Sequence, residues 1–334
     1  MNYIGSKQSL LPFLEQTISA VIGVSDGNTR GGVFADPFAG TGAVGAAFRS
    51  RGFTVIANDI QHYSYALNRH FVENPPSLNV SHLKYLNALD GTDGFVYRNY
   101  CAGSNSGRNY FTDENGRRCD AIRGAIERLR NDGEIGDDEY FYYLASLINS
   151  VDKVANTASV YGAFLKHVKK TAQKPFAIEL LPLVDGPRGE AHCADASELI
   201  RTIRGDVLYL DPPYNARQYS ANYHVLETIS RYDNPALRGK TGMRDVKAQK
   251  SAFCSKRTVA QALDEVLANA DFKYIFLSYN NEGLMSLDAI REIMARHGEY
   301  SLFTQEYRRF RADKQNARNH KADATVEHLH VCVK

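Results

Sequence analysis

The run Leu208-Tyr-Leu-Asp211-Pro-Pro-Tyr214-Asn215 ends an apolar segment in a carboxylate, two prolines and an aromatic ring. Those groups suit the methylation of an exocyclic amine on a flat base. Such an amine is a weak nucleophile because its lone pair is delocalised into the ring. Asp211 and the carbonyl of Pro212 would each accept one N–H and favour a pyramidal nitrogen, while Tyr214 stacks on the base. Pro212 and Pro213 have fixed φ and no N–H, so the loop leaves its strand presenting acceptors without competing donors. An ordinary strand followed by a proline turn has the same letters, and the rest of the chain must decide.

A second locus lies near the N-terminus. Gly40-Thr-Gly42-Ala-Val-Gly45 fits G-x-G-x-x-G after a strand, with Asp59 at the end of the next strand, a pattern that also occurs in dinucleotide oxidoreductases. The prefix Asp36-Pro-Phe38-Ala departs from that pattern, which usually sets its first glycine directly at the strand end. A nucleoside without a pyrophosphate fits the same crevice: Asp59 accepts from ribose hydroxyls, Gly40 and Gly42 allow close approach, and Phe38 offers its face to a cation. S-adenosylmethionine carries such a cation at sulfur. Asp59 is alternatively a helix N-cap, and the glycines a plain turn.

The elements that position these residues follow from periodicity. Ser6 with Leu10, Leu11, Leu14, Ile18 and Ile22 reads as an N-capped amphipathic helix. Residues 31–36 form a buried strand, 42–50 a small-residue helix, 53–59 a second strand and 62–71 a helix, together a βαβα unit. From Asn74 the sequence turns polar, Gly-rich and Tyr-rich, with helices over 121–130 and 138–154. Strands return at 190–193 and 207–210, then helices at 223–231 and 259–270, a strand at 274–279 and a helix at 284–297. Residues 300–311 and 325–334 predict a closing hairpin with a basic loop at its tip. The expected architecture is α/β and Rossmann-like: a mostly parallel sheet with an antiparallel C-terminal hairpin, residues 1–74 and 190–334 forming a catalytic domain and 75–189 an insertion.

With Asp36-Pro-Phe-Ala-Gly-Thr-Gly42, Asn58-Asp59 and Asp211-Pro-Pro-Tyr214 in this order, preceded by Tyr3-Ile-Gly-Ser-Lys7, the chain resembles the Dam-like, D12 class of DNA N6-adenine methyltransferases. The resemblance runs from residue 3 to the C-terminus and leaves the middle insertion unmatched. It implies a class I methyltransferase fold, S-adenosylmethionine as cofactor, and transfer of its methyl group to N6 of an adenine flipped out of duplex DNA. It assigns Asp211, Pro212, Pro213 and Tyr214 to catalysis, and Tyr3, Lys7, Asp36, Phe38, Gly40, Gly42, Asp59 and Asp195 to the cofactor; Lys7 alternatively lies on the surface, and Asp195 is equally a helix N-cap. The segment through Asn222 and His224 looks like the one that encloses the flipped base, and His224 reads as structural or DNA-contacting. Residues 75–189 would read the target sequence. DNA contacts are expected from Lys166, Lys169, Lys170, Arg217, Asn222, Arg308, Arg309, Arg311, Lys314 and Arg318, with Asn156 and Tyr161 as further contacts. The family's chemistry needs no metal, and His328, His330 and Cys332 are expected on a polar face of the last strand.

Composition bounds the partners. A chain of 334 residues, 43% hydrophobic and 23% charged, forms a sizeable core and is no disordered majority. Net charge is only +2, so binding to DNA must rest on local patches such as Lys166 to Lys174 and Arg308 to Lys321. Five cysteines without a C-x-x-C pair argue against a disulfide framework and a zinc ribbon. No apolar run spans a bilayer and no signal peptide is evident, so a cytoplasmic protein is expected. A separately acting restriction endonuclease is a compatible partner. RNA as substrate, cytosine N4 as target, and a non-catalytic DNA-binding subunit remain open at this point.

Overall fold

The computed structural model describes residues 3–23, 31–308 and 324–334. They form two compact units: residues 6–60, 184–218 and 249–334 make a sheet unit, and residues 1–5, 61–183 and 219–248 a helical one. Among the described residues no helix is long and apolar enough to cross a membrane.

The sheet unit holds seven strands: β1 (Val33–Asp36), β2 (Thr54–Asn58), β3 (Glu190–His192), β4 (Arg204–Leu210), β5 (Asp271–Asn280), β6 (Glu299–Arg308) and β7 (Ala324–Val333). Their order is β3-β2-β1-β4-β5-β7-β6. The first five are mutually parallel, and β7 runs antiparallel to both β5 and β6. Both faces are apolar, as a covered parallel sheet requires. On one face Ala35, Leu208, Leu210, Ile275 and Leu277 pack with Leu263, Val266 and Ile290. Leu263 and Val266 lie on the helix Val259–Asn269, and Ile290 on Leu287–Met294. On the other, Phe34 stacks on Phe48 of the helix Ala43–Ser50, with ring centroids 4.1 Å apart, and lies 6.3 Å from Tyr209.

The first helix differs from the sequence expectation. It spans Leu11–Ile22, and a 3-10 turn, Lys7–Ser9, precedes it; Ser6 makes no side-chain cap bond. Proline at position 12 fits this start, since Pro is favoured in the first helical turn, where its missing N–H costs no intrahelical bond.

The helical unit centres on Asp113–Asn131, longer than the expected segment, and Asp137–Lys153, which matches the expected one in length and starts one residue earlier. Thr112 caps the first by accepting from the Asn115 N–H, a signal upstream of the apolar periodicity. The helices His62–Asn68 and His224–Arg231 belong to this unit. Its core is rich in tyrosine: Tyr63, Tyr100, Tyr110, Tyr143, Tyr161 and Tyr223 are all fully buried.

Candidate active site

The strand order fixes the crevice. From β1 the chain proceeds outward through β2 to β3, and from β4 in the opposite direction to β5, so the direction reverses between neighbours β1 and β4. In open α/β sheets ligands bind at such a switch point, outside the carboxyl ends of the strands. Phe34 pairs with Val207 and Ala35 with Leu208. The two loops singled out by sequence, Asp36-Pro-Phe-Ala and Asp211-Pro-Pro-Tyr, therefore leave side by side.

Asn58, fully buried at the end of β2, braces the loops. Its side-chain N–H groups donate to the carbonyls of Pro37 and Ala194, both at 3.0 Å, and its oxygen accepts from the Ala194 N–H at 2.9 Å. Asp59 accepts from the Gly40 N–H at 3.1 Å, while the helix after it begins beyond Gln61, so Asp59 is not that helix's cap. Gly40 and Gly42 have φ of 52° and 80°, the left-handed region that disfavours a Cβ, and Gly42 opens the helix Ala43–Ser50. Phe38 meets the ring of Phe253 edge-on at 5.1 Å. Asp195 caps the short helix Ala196–Leu199, accepting from the Ser197 N–H at 2.8 Å.

Asp36 is buried and accepts from the Phe38 N–H at 3.2 Å. Burial, followed by the nearby Asp211 carboxylate, pushes its carboxyl well above the ordinary range.

Lys7 is no surface residue. Only 5% exposed, its ammonium lies 2.9 Å from Asp211 Oδ1 and 3.1 Å from Glu327 Oε1. Burial alone would lower its pKa, but Asp211 and Glu327 raise it well above the ordinary lysine value. Asp211, 17% exposed, is pushed up to about 6, mainly by burial, against the opposing pull of Lys7. Pro212 is buried and Pro213 half-buried.

Tyr214 is held from outside its loop. Its carbonyl accepts from the Leu284 N–H at 3.0 Å, and its ring meets Tyr279 edge-on at 5.8 Å. Gly283 permits that turn, since a Cβ there would lie 2.1 Å from the Tyr279 ring. Lys7 Nζ is 5.6 Å from the Tyr214 ring centre. The loop's far end is tied by Gln218, which exchanges two hydrogen bonds with the Ser251 backbone at 2.9 and 3.2 Å.

A carboxylate at a strand end, an ammonium beside it and a braced aromatic ring make a site for a flat, hydrogen-bonding heterocycle. Asp36 interacts with both Asp211 and Asp59, and Glu327 with Asp211, so these carboxyls outnumber the one buried ammonium, Lys7, a balance that favours a cationic ligand.

The model of the D12 class N6 adenine-specific DNA methyltransferases matches residues 3–293. The chain belongs to that family. The match runs through the middle segment that the sequence motifs leave unmatched, and it ends before β6. Type II methyltransferase M.NlaIII of Neisseria lactamica is 50% identical over 337 residues, covering 100% of this chain and 99% of its own length. Type II methyltransferase M.CviAII of Paramecium bursaria Chlorella virus 1 is 36% identical, covering 93% of each chain. Type II methyltransferase M.FokI of Planomicrobium okeanokoites is 35% identical over 99% of this chain and 52% of its own length.

The remaining residues expected at the site of this D12 methyltransferase are dispersed. Tyr3 lies in the helical unit, stacked on Tyr223 with ring centroids 4.6 Å apart. Asn222 is there too, its carbonyl accepting from the Tyr161 N–H at 2.7 Å. His224 is fully buried, its ring nitrogen 3.0 Å from the Tyr161 carbonyl, and burial pushes its pKa down to about 4, which fits the structural reading. Asn156 and Tyr161 are buried as well, against the expectation of DNA contact. Asn156 donates to the carbonyls of Asn109 and Leu165 and so pins the loop between them, and the Tyr161 hydroxyl donates to Asp152. Lys166, Lys170 and Arg217 are exposed; Lys169 is half-buried, its ammonium donating to the Thr157 carbonyl at 2.8 Å. Arg308 ends β6, and Arg309, Arg311, Lys314 and Arg318 lie outside the described residues.

The polar face expected of the last strand is largely covered among the described residues, with His328 half-buried. His330 and Cys332 are fully buried: Cys332 packs in the same apolar cluster as Ile275 and Ile290, and His330 Nδ1 is 2.9 Å from the Tyr300 hydroxyl. Sequence reasoning missed Glu327, Ser278, Phe253 and Tyr279. An acid inside the apolar run of β7 was the one available signal.

Proposed function

We propose that this D12 methyltransferase uses S-adenosylmethionine to methylate N6 of an adenine extruded from duplex DNA at one short recurring sequence. The observation that carries the reading is the Asp211-Pro-Pro-Tyr214 loop, emerging at the switch point beside the Asp36 loop with its carboxylate half-neutralised by Lys7. S-adenosylmethionine supplies, when bound, an activated methyl group on a positively charged sulfur. Asp36, Asp59, Phe38, Gly40 and Gly42 would hold it: the acidic donor set matches its cationic charge, and the left-handed glycines keep the first loop free of side chains.

Asp211 accepts one N–H of the adenine amine and the Pro212 carbonyl the other, drawing the lone pair out of ring conjugation. Tyr214 provides the stacking face, kept in place by Tyr279 and Leu284. Asp211 must be ionised to accept, so turnover should rise with pH through about 6. Lys7 keeps Asp211 ionised near neutrality and fixes one of its oxygens, leaving the other for the substrate. After transfer the amine sheds its surplus proton to Asp211 or to water.

The helical unit, with exposed Lys166 and Lys170, is proposed to contact DNA, as is the basic segment Arg308 to Lys321. The names of the relatives, type II methyltransferases, support a site-specific modification enzyme, and a cytoplasmic location with a separately acting restriction endonuclease as partner belongs to this proposal. The test is incubation of unmethylated bacterial DNA with the protein and methyl-labelled S-adenosylmethionine, followed by nucleoside analysis and sequencing that reports modified positions. Label in N6-methyladenine at one recurring sequence is expected. Label in N4-methylcytosine, or in RNA in preference to DNA, would overturn the reading.

A further inference from the structure

We propose that Glu327, on the strand inserted between β5 and β6, is a positioning residue for the transfer: it holds Lys7 at a fixed point and so sets the orientation of the Asp211 carboxylate. The inference rests on the reading of Asp211 above and extends it to a residue outside the span matched by the family.

Glu327 is fully buried. Its Oε1 accepts from the Ser278 hydroxyl at 2.7 Å and lies 3.1 Å from Lys7 Nζ, while its Oε2 has no partner. Burying a carboxylate is expensive, and one acid suffices to neutralise one lysine. A structural ion pair would therefore stop at Lys7 and Asp211. The second acid, with half its acceptor capacity unused, is a cost to the fold that stability does not explain. What it does is divide the ammonium's hydrogen bonds. With Glu327 3.1 Å away as a second partner, the Lys7 ammonium lies 2.9 Å from a single Asp211 oxygen. Without Glu327 the ammonium would turn wholly toward Asp211 and compete with the substrate amine for its second oxygen.

The groups that interact with Asp211 are Lys7 in the 3-10 turn, Glu327 on β7, Asp36 after β1 and Tyr209 on β4; one step removed, Tyr214 acts on Lys7, Asp59 after β2 on Asp36, and Glu327 on its neighbour His328. Glu327 is the like charge that raises Asp211, so neutralising it lets Asp211 ionise at lower pH.

Glu327→Gln keeps the volume and an acceptor for Ser278. Two readouts apply to the full chain: kcat and KM from pH 5 to 8, and the titration of the Asp211 carboxyl carbon by NMR in protein labelled at aspartate, assigned with Asp211→Asn. The expected result is a kcat lower by at least about tenfold at an unchanged KM for S-adenosylmethionine, with the Asp211 midpoint moved down from about 6 by roughly half a unit or more. Glu327→Asp should restore the midpoint. If Glu327→Gln folds poorly, Ser278→Ala loosens the same carboxylate without removing charge and should lower kcat in the same sense. An unmoved Asp211 midpoint, or a wild-type kcat in Glu327→Gln, overturns the inference. Should the wild-type protein fail to methylate DNA, the functional reading falls, while the Asp211 midpoint still decides whether Glu327 acts on it.

Discussion

Arg123 in the helical unit and Lys7 in the sheet unit are both buried cations, and their surroundings differ in one respect. Arg123 donates to the carbonyls of Ile229 and Ser230, to Glu127 and to the Tyr140 hydroxyl, and each of these is a protein group already in place. Lys7 faces two carboxylates, Glu327, which is fully buried, and Asp211, which is 17% exposed. A closed network of this size locks a packing arrangement; an open one holds acceptors ready for a group that arrives from outside. The difference separates a structural cluster from a chemical one more sharply than burial or charge does, since both clusters are buried and charged.

That contrast breaks if the closed cluster proves dispensable. Arg123 is 2% exposed, so Arg123→Met, which leaves its acceptors unsatisfied, should destabilise the protein by roughly 3–5 kcal/mol in denaturant unfolding. It should leave the affinity of the folded protein for S-adenosylmethionine unchanged. A loss near zero would mean that the network is not closed in the sense used here.

The open cluster should behave in the opposite way, because its ionised form is held at a cost. Asp211 has its folded-state pKa raised to about 6, so its ionisation weakens the fold above that pH and has no effect below the ordinary carboxylate value. Asp211→Asn should therefore be more stable than the wild type above about pH 6, by roughly 2–3 kcal/mol, and equal to it below about pH 4. Thermal unfolding at a series of pH values measures this. Equal stability at pH 8 would argue that Asp211 is an ordinary paired carboxylate.

The parts of the site legible in the sequence were those made by local patterns. An apolar strand ending in Asp-Pro marks its own loop, and both such loops emerge together because β1 and β4 are neighbours. The parallel sheet with its antiparallel closing hairpin was legible for the same reason, from strand-length apolar runs alternating with helical ones. What stayed hidden depends on contacts distant along the chain. Lys7 and Glu327 stand at opposite ends of the sequence and meet only because β7 inserts beside β5. Asn156 and Tyr161 read as polar groups available to DNA, yet the helical unit uses their hydrogen bonds to hold its own loops. The helical unit also takes in residues 61–74 and 219–248, which periodicity alone attached to the sheet, because a helix pattern does not state which layer it packs on.

The most direct test is methyl transfer by Asp211→Ala on unmethylated DNA, with S-adenosylmethionine binding measured on the same preparation and wild-type turnover followed across pH 5 to 8. The expected result is turnover reduced by at least about a hundredfold, cofactor affinity within about threefold of wild type, and a wild-type acid limb near pH 6. Turnover by Asp211→Ala close to that of the wild type would contradict the account.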